Sequence, residues 1–340
     1  MLHLRLVVPR ERTTAVSTLL LERGDVTNVM HFPGAALRPP GDVILCDVSR
    51  DSTDELLATL HAIGVDAGGS IAVETMDTLV SRHPDIDQEL DWSEHAESVV
   101  WESVEAAAHK EVQGGWTFHV FLSIAVALAA IGVKLDSTIA IIAAMVVSPD
   151  FSPVAAMCVG TVRKGQRALI GMGLRLFIVG FALAIAVVAV LAFLAAWAGW
   201  INAADLLKPR PQTDFIWTPD RWSFVVALLA GAAGALSLTS SRSNALVGVF
   251  IAVTTVPAAG NLAFAMAIGA WHWLEPALYG SLAKGGDSIS QEIGGSLMQL
   301  LVNVAGMFIA GVLSLLMAQW VDRQSARRRL AKGGKLGSDA

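Results

Sequence analysis

Two apolar stretches of the chain contain groups that a lipid-facing helix tolerates poorly. The first, STIAIIAAMVVSPDFSPVAAMCVGTV, carries Pro149 and Pro153 with Ser148, Asp150 and Ser152 around them. The second, SNALVGVFIAVTTVPAAGNLAFAMAIG, carries Thr254, Thr255, Pro257 and Asn261. Proline removes one amide donor and frees a carbonyl one turn earlier. In hydrocarbon such a break survives only where protein or water surrounds it. Hydroxyl, amide and freed carbonyl oxygens together suit an ion; their other role is hydrogen bonding between helices. Asp150 could bind a cation or carry a proton, pair with Arg175, or face water at an oligomer axis. Gln299 and Asn303 lie one helical turn apart on a later span and are expected to face the same centre.

These residues need a membrane frame, and composition supplies one. Hydrophobic residues make up 54% of the 340, only 16% are charged, and mean hydropathy is +0.56. Apolar spans fall at about 117–133, 137–162, 168–199, 222–241, 243–271 and 294–320, and the length needed to cross about 30 Å of hydrocarbon selects them as six membrane helices. Eight of the ten tryptophans (Trp116, Trp197, Trp200, Trp217, Trp222, Trp271, Trp273 and Trp320) lie at or near span ends, where indoles favour the headgroup level.

The two broken spans correspond. A shift of about 104 residues lays Ser137 on Ser241 and Pro153 on Pro257. Each belongs to a triplet of spans, and an odd number of crossings inverts the second triplet. The expectation is a 3+3 inverted repeat with a broken middle helix in each half, as in several secondary transporters.

Charge divides the chain. Residues 1–115 hold 8 basic and 20 acidic side chains, a balance of −12, whereas the remainder holds 16 and 10, or +6. An acidic front repels phosphate backbones, so nucleic-acid binding is not expected. The start, MLHLRLVVPRER, has no apolar core of signal-peptide length. Cys46 and Cys158 are too few for a disulfide framework and read as small buried apolar residues.

Within the front, LHLRLVV, Val26–Phe32, DVILCDV and Ser70–Thr75 read as strands, with helices over 10–23 and 51–63. PGAALRPPGD reads as a turn-rich connection. The order βαββαβ is that of an α+β ferredoxin-like domain, which hosts ligand sensing, dimerisation or inert scaffolding alike. The domains expected are 1–77 (ferredoxin-like), 78–115 (linker and amphipathic helix), 116–322 (transmembrane) and 323–340 (basic tail). In the second of these, residues 78–92 form the linker, and Ser93 caps a helix whose apolar stripe is Ala96, Val99, Val100, Val104 and Ala107. Glu97, Glu102 and Glu105 beside the stripe argue for packing on protein rather than on anionic lipid.

IIAAMVVSPDFSPVAAM and SNALVGVFIAVTTVP, placed after such a front, resemble a bacterial and archaeal membrane-protein family catalogued as domain of unknown function 389. The resemblance runs from about Phe118 to Gln319. Ala144, Met145, Ser148, Pro149 and Pro153 match its pattern. Asp150 stands where the family carries an apolar residue, and Ala258 where it tends to a second proline. The resemblance implies a membrane location and a repeated core, and it brings no substrate with it.

The function expected is that of a transporter or channel for an ion or small solute, the front domain acting as a regulatory or oligomerisation module. The alternative is a sensor or scaffold that moves nothing. No HExxH, GxSxG or paired intramembrane carboxylates appear, so no enzyme, metal or cofactor is expected. The partners expected are the lipid bilayer and further copies of the chain, and the front domain could take a small-molecule ligand. With the front inside, ten basic residues (Arg163, Lys164, Arg167, Arg242, Arg323, Arg327, Arg328, Arg329, Lys332 and Lys335) are cytosolic. Five (Lys134, Lys208, Arg210, Arg221 and Lys284) are outside, which satisfies the positive-inside rule for a bacterial inner membrane. Tags at both termini are therefore expected to be digested by protease in inverted vesicles and protected in intact spheroplasts; the reverse result would overturn the topology.

Overall fold

The structure, a computed structural model, describes residues 2–75, 99–201, 209–239, 254–274 and 285–336, excepting the side chains of 50, 51, 75, 272–288 and 325–336. The linker 78–92, the cap at Ser93, Arg242 and the first half of the fifth span, 243–253, lie outside the described residues. The chain divides into two compact units, 1–103 and 104–340.

In the first unit β1 (Leu2–Val8) alternates, so Leu2, Leu4, Leu6 and Val8 share one buried face. Helix α1 (Thr13–Glu22) leads to β2 (Val26–Leu37) and β3 (Pro40–Val48). Helices α2 (Arg50–Ile63) and α3 (Val65–Gly68) lead to β4 (Ser70–Thr75). The sheet order is β2-β3-β1-β4, every neighbouring pair antiparallel. Val16 and Leu20 of α1, and Leu56, Leu57 and Leu60 of α2, close over Ile44, Cys46 and Val48. Cys46 and Cys158 are both buried and free, as expected. Burial, with Asp47 adding to it, pushes the Cys46 thiol up to about 12.

Two expectations for the front need correction. The stretch 33–42 is not mainly a connection: β2 continues to Leu37 and β3 begins at Pro40. A register shift between Phe32 and Ala36, with Gly34 at φ +65°, absorbs the irregularity that the glycine and prolines signal. The stem helix α4 (Trp101–Val112) starts after Val99 and Val100 rather than before them. Asp54 accepts the Trp101 N–H at 3.2 Å, which caps the helix there. Its buried stripe is Trp101, Val104, Ala108 and Val112, whereas Ala107 is exposed.

The second unit is helical. Helix α5 (Trp116–Lys134) is followed by α6 (Thr138–Val147) and α7 (Phe151–Val162), which meet at a 48° bend. Then come α8 (Ala168–Trp197), a 3₁₀ turn at Asp214–Ile216, α9 (Arg221–Thr239), α10 (Thr255–Leu274) and α11 (Gly285–Leu336). Four of these helices are long and apolar enough to cross a membrane, or five when the bent pair counts as one span. Exposed Trp116, Trp197, Trp200, Trp222 and Trp320 mark helix ends, and exposed Ile178, Val190, Leu229, Leu236, Leu301 and Leu313 lie between them. An apolar belt with indoles at its rims is the surface of a membrane protein. The basic tail does not break from the last span: α11 is one helix of 52 residues, about 78 Å long.

Helix α10 is central, packing on α5, α6, α8 and α11. Every residue from Thr255 to Ala265 is buried. Gly260 permits the approach to α5, because a Cβ there would lie 2.5 Å from that of Ala129. Gly306 of α11 does the same against α9, where a Cβ would come within 2.6 Å of Ala227 Cβ. Small residues at such crossings are the usual means by which membrane helices gain van der Waals contact.

The first unit also carries an acid-sensitive contact. The buried Asp42 carboxylate accepts the Gly34 N–H at 2.7 Å and the Thr13 hydroxyl at 2.8 Å, with His31 Nε2 at 3.3 Å. The Gly34 N–H first, then the Thr13 hydroxyl, hold this carboxyl below its ordinary range. A depressed folded-state value gives stability that is present above the unfolded value, about 3.9, and lost as pH falls through the folded one. Protection factors for amide exchange in the β2–β3 hairpin are expected to fall below about pH 4, and Asp42→Asn to flatten that dependence.

Candidate functional site

The site lies where α10 faces α11. On α11, Glu292, Ser296, Gln299 and Asn303 recur at intervals of about a helical turn and form one buried stripe. At one end, Arg210 from the segment before the 3₁₀ turn forms an ion pair with Glu292 at 2.6 Å. The two side chains are 4% and 3% exposed. Arg210 Nη1 also donates to Asn261 Oδ1 of α10 at 3.1 Å, and Asn261 Nδ2 donates to Ser296 Oγ at 2.9 Å. Farther along, Gln299 Nε2 and Asn303 Nδ2 each donate to Thr254 Oγ1 at 2.9 Å, and Gln299 Nε2 also reaches Asn303 Oδ1 at 3.1 Å.

The break between α6 and α7 brings up the remaining groups. Asp150 occupies the N-cap position of α7 and is 5% exposed. Its carboxyl lies within interaction range of the Ser148 and Thr255 hydroxyls. Neither hydroxyl has another polar partner among the described residues. Ser152 turns elsewhere, donating to Glu111 of the stem at 2.6 Å. That stem is tied to the far end of α7 as well, because Glu105 accepts from Arg163 and Gln166. Arg175 is exposed on α8, and no basic side chain pairs with Asp150 among the described residues.

The prolines do what the sequence predicts of them locally. Pro153 and Pro257 are each the third residue of their helix, where a missing amide costs no intrahelical bond. The shift of about 104 residues that aligns them also lays Phe151, the first residue of α7, on Thr255, the first of α10.

Asp150, Ser148 and Thr255 are thus brought together, as are Thr254, Gln299 and Asn303; Asn261 joins the Arg210 end. Arg210, counted in the sequence among the outside charges, is a buried partner of α11. Glu292 escaped the sequence reading because the sixth span starts there at residue 294, and Ser296, inside that span, was not singled out. The stripe was visible all the same in SISQEIGGSLMQLLVN, as polar residues at helical spacing.

Taking one member from a buried ion pair leaves an uncompensated charge, at a cost of about 3–5 kcal/mol. Arg210→Met is expected to lower stability by that order. Arg210→Met with Glu292→Leu should recover most of it, as thermal unfolding in detergent would show.

No curated protein and no solved structure matches the chain. A family model does. Residues 145–309, which hold both proline breaks and the buried polar groups from Ser148 to Asn303, match the one described as Domain of unknown function (DUF389), the family that the sequence resembles.

Proposed function

We propose that the protein is a membrane transporter or channel for a small ion or solute, its path following the polar stripe of α11. The observation that carries this reading is a pair of buried oxygens on that stripe without partners among the described residues, Glu292 Oε2 and Gln299 Oε1. They accompany a polar network beside a core of apolar side chains. A buried acceptor without a partner calls for water or an ion, and a polar groove through a hydrocarbon-embedded bundle is where either would travel. The proposal places the protein in a bacterial inner membrane with both termini cytosolic, supported by the distribution of basic residues. It also reads the two triplets as an inverted repeat, supported by the matching starts of α7 and α10. The ferredoxin-like unit serves as a regulatory or oligomerisation module in a homo-oligomer.

Proteoliposomes are expected to pass an ion or small acid faster than empty liposomes, and Gln299→Leu with Asn303→Leu to lose most of that flux. Folded protein with no flux above background across a panel of ions and small acids would favour the scaffold or sensor instead.

A further inference from the structure

We infer that Arg210 is the binding site of a small monocarboxylate anion that enters together with a proton, Glu292 holding the anion's place and giving it up when protonated. The inference rests on the reading of the bundle as a transport path and names what the path carries. Arg210 reaches the bundle interior from the segment before the 3₁₀ turn, and both it and Glu292 are buried there. Its fork is divided: Nη2 lies 2.6 Å from Glu292 Oε1, and Nη1 donates to Asn261 Oδ1 at 3.1 Å. Glu292 meets it through that one oxygen, since Oε2 has no partner among the described residues. A guanidinium is shaped to take a carboxylate through both oxygens, so the contact present is less than Arg210 can accept. The same segment brings a second donor. The Trp217 indole N–H is buried without a partner among the described residues. The Trp217 backbone lies against Gly295, one turn from Glu292, where a Cβ would run into its carbonyl oxygen. A buried donor left unpaired beside a divided guanidinium calls for an acceptor.

A purely structural tie does not need these groups. Well-packed apolar residues of similar volume hold as well as a buried ion pair or better, whereas ionisable groups at membrane depth mark pathways and proton relays. Glu292 stands in the first turn of the apolar helix Ile289–Gln324, at the head of the stripe that continues through Ser296, Gln299 and Asn303. The charges that act on it come from Arg210 and from Asp214 of the 3₁₀ turn. Of the helices packed on α11, α7 has no charged residue, and α9 has only Arg221, at its exposed first position. His272 of α10 and Asp287 of α11 itself have side chains outside the described ones. Proton uptake by Glu292 therefore leaves the Arg210 charge without compensation where an unpaired charge is costly. A monovalent anion restores the balance. The proton goes to Glu292, the anion's carboxylate takes the guanidinium, and the net charge of the site is unchanged. The class of ligand follows from what it replaces, because Glu292 itself presents a carboxylate on a short alkyl chain.

Thermal unfolding of the full chain in detergent, titrated with sodium acetate or sodium chloride at constant ionic strength and at several pH values from 6 to 8, tests the site. A ligand that binds only the folded state raises stability as its concentration passes its dissociation constant. The expected result is a saturable rise in melting temperature with acetate that chloride does not reproduce. One proton taken up per anion lowers the half-saturating acetate about tenfold for each unit by which the pH falls. Glu292→Gln, which has the charge of the protonated form, should bind acetate at pH 8 about tenfold or more tightly than the native chain and lose the pH dependence. No acetate response, an equal response to chloride, or a half-saturation that ignores pH in the native chain would overturn the site. So would Glu292→Gln with native affinity and native pH dependence. If Glu292→Gln does not fold, Arg210→Met with Glu292→Leu decides: its acetate response should be absent, and a retained one overturns the site. Proteoliposome flux separates the two proposals. Flux without proton-linked acetate binding removes only the carboxylate site, and such binding without flux removes only the transport reading.

Discussion

The contact of α10 with α11 through side-chain amides and hydroxyls is the constraint around which the membrane unit is built. In water, Gln299, Asn303 and Thr254 would be indifferent to one another. In hydrocarbon each unsatisfied amide or hydroxyl costs several kcal/mol, so these groups must meet inside the bundle. Thr254 Oγ1 accepts from both amides at 2.9 Å, and this fixes the height of α10 against α11 to within a side chain. The Arg210–Glu292 pair, with Asn261 and Ser296 beside it, sets the same register farther along the same helices. Two separate polar clamps on one helix pair leave no freedom to slide.

Other features of the unit follow from that register. Held by α11 on one side, α10 has its first turns wholly enclosed by α5, α6 and α8. The small residues on α10, Gly260 among them, let the neighbouring backbones approach. The beginning of α10 is carried to the break between α6 and α7, which sets Thr255 beside Asp150. The stem α4, bonded to both ends of α7 through Glu105 and Glu111, gives the broken helix a second support. A movement of the stem would be felt at the residues flanking Asp150, because Ser152 is only two positions away.

The first unit obeys a different rule. Its core is apolar side chains under a sheet, and its polar contacts, such as Asp42 with Gly34 and Thr13, pin loops and helix starts at the edges of that core. Polar groups there have water as an alternative partner, so each contributes modestly. In the membrane unit they have none, and the same chemistry becomes the organising force.

Much of this was legible in the residues themselves. Alternation in LHLRLVV and DVILCDV and the apolar lengths of α5, α8 and α9 are local signals, and each yields its element. The proline breaks were legible for the same reason: a missing amide is a property of one residue. Segment 33–42 misled because a strand that tolerates a bulge and edge prolines looks like a loop when its partner strand is unknown. The start of α4 at Trp101 depends on Asp54, 47 residues away in sequence. Arg210 shows the limit most clearly. Between spans, Arg210 reads only as one of the outside charges, and only the approach of α11 supplies Glu292 as its buried partner. By itself the sequence determined which segments must leave water and where their helices must break, since both depend on each residue's own polarity and hydrogen-bonding groups. Only the tertiary structure decided which polar groups meet, because partners such as Arg210 and Glu292, or Asp150 and Thr255, are joined by helix packing and not by nearness along the chain.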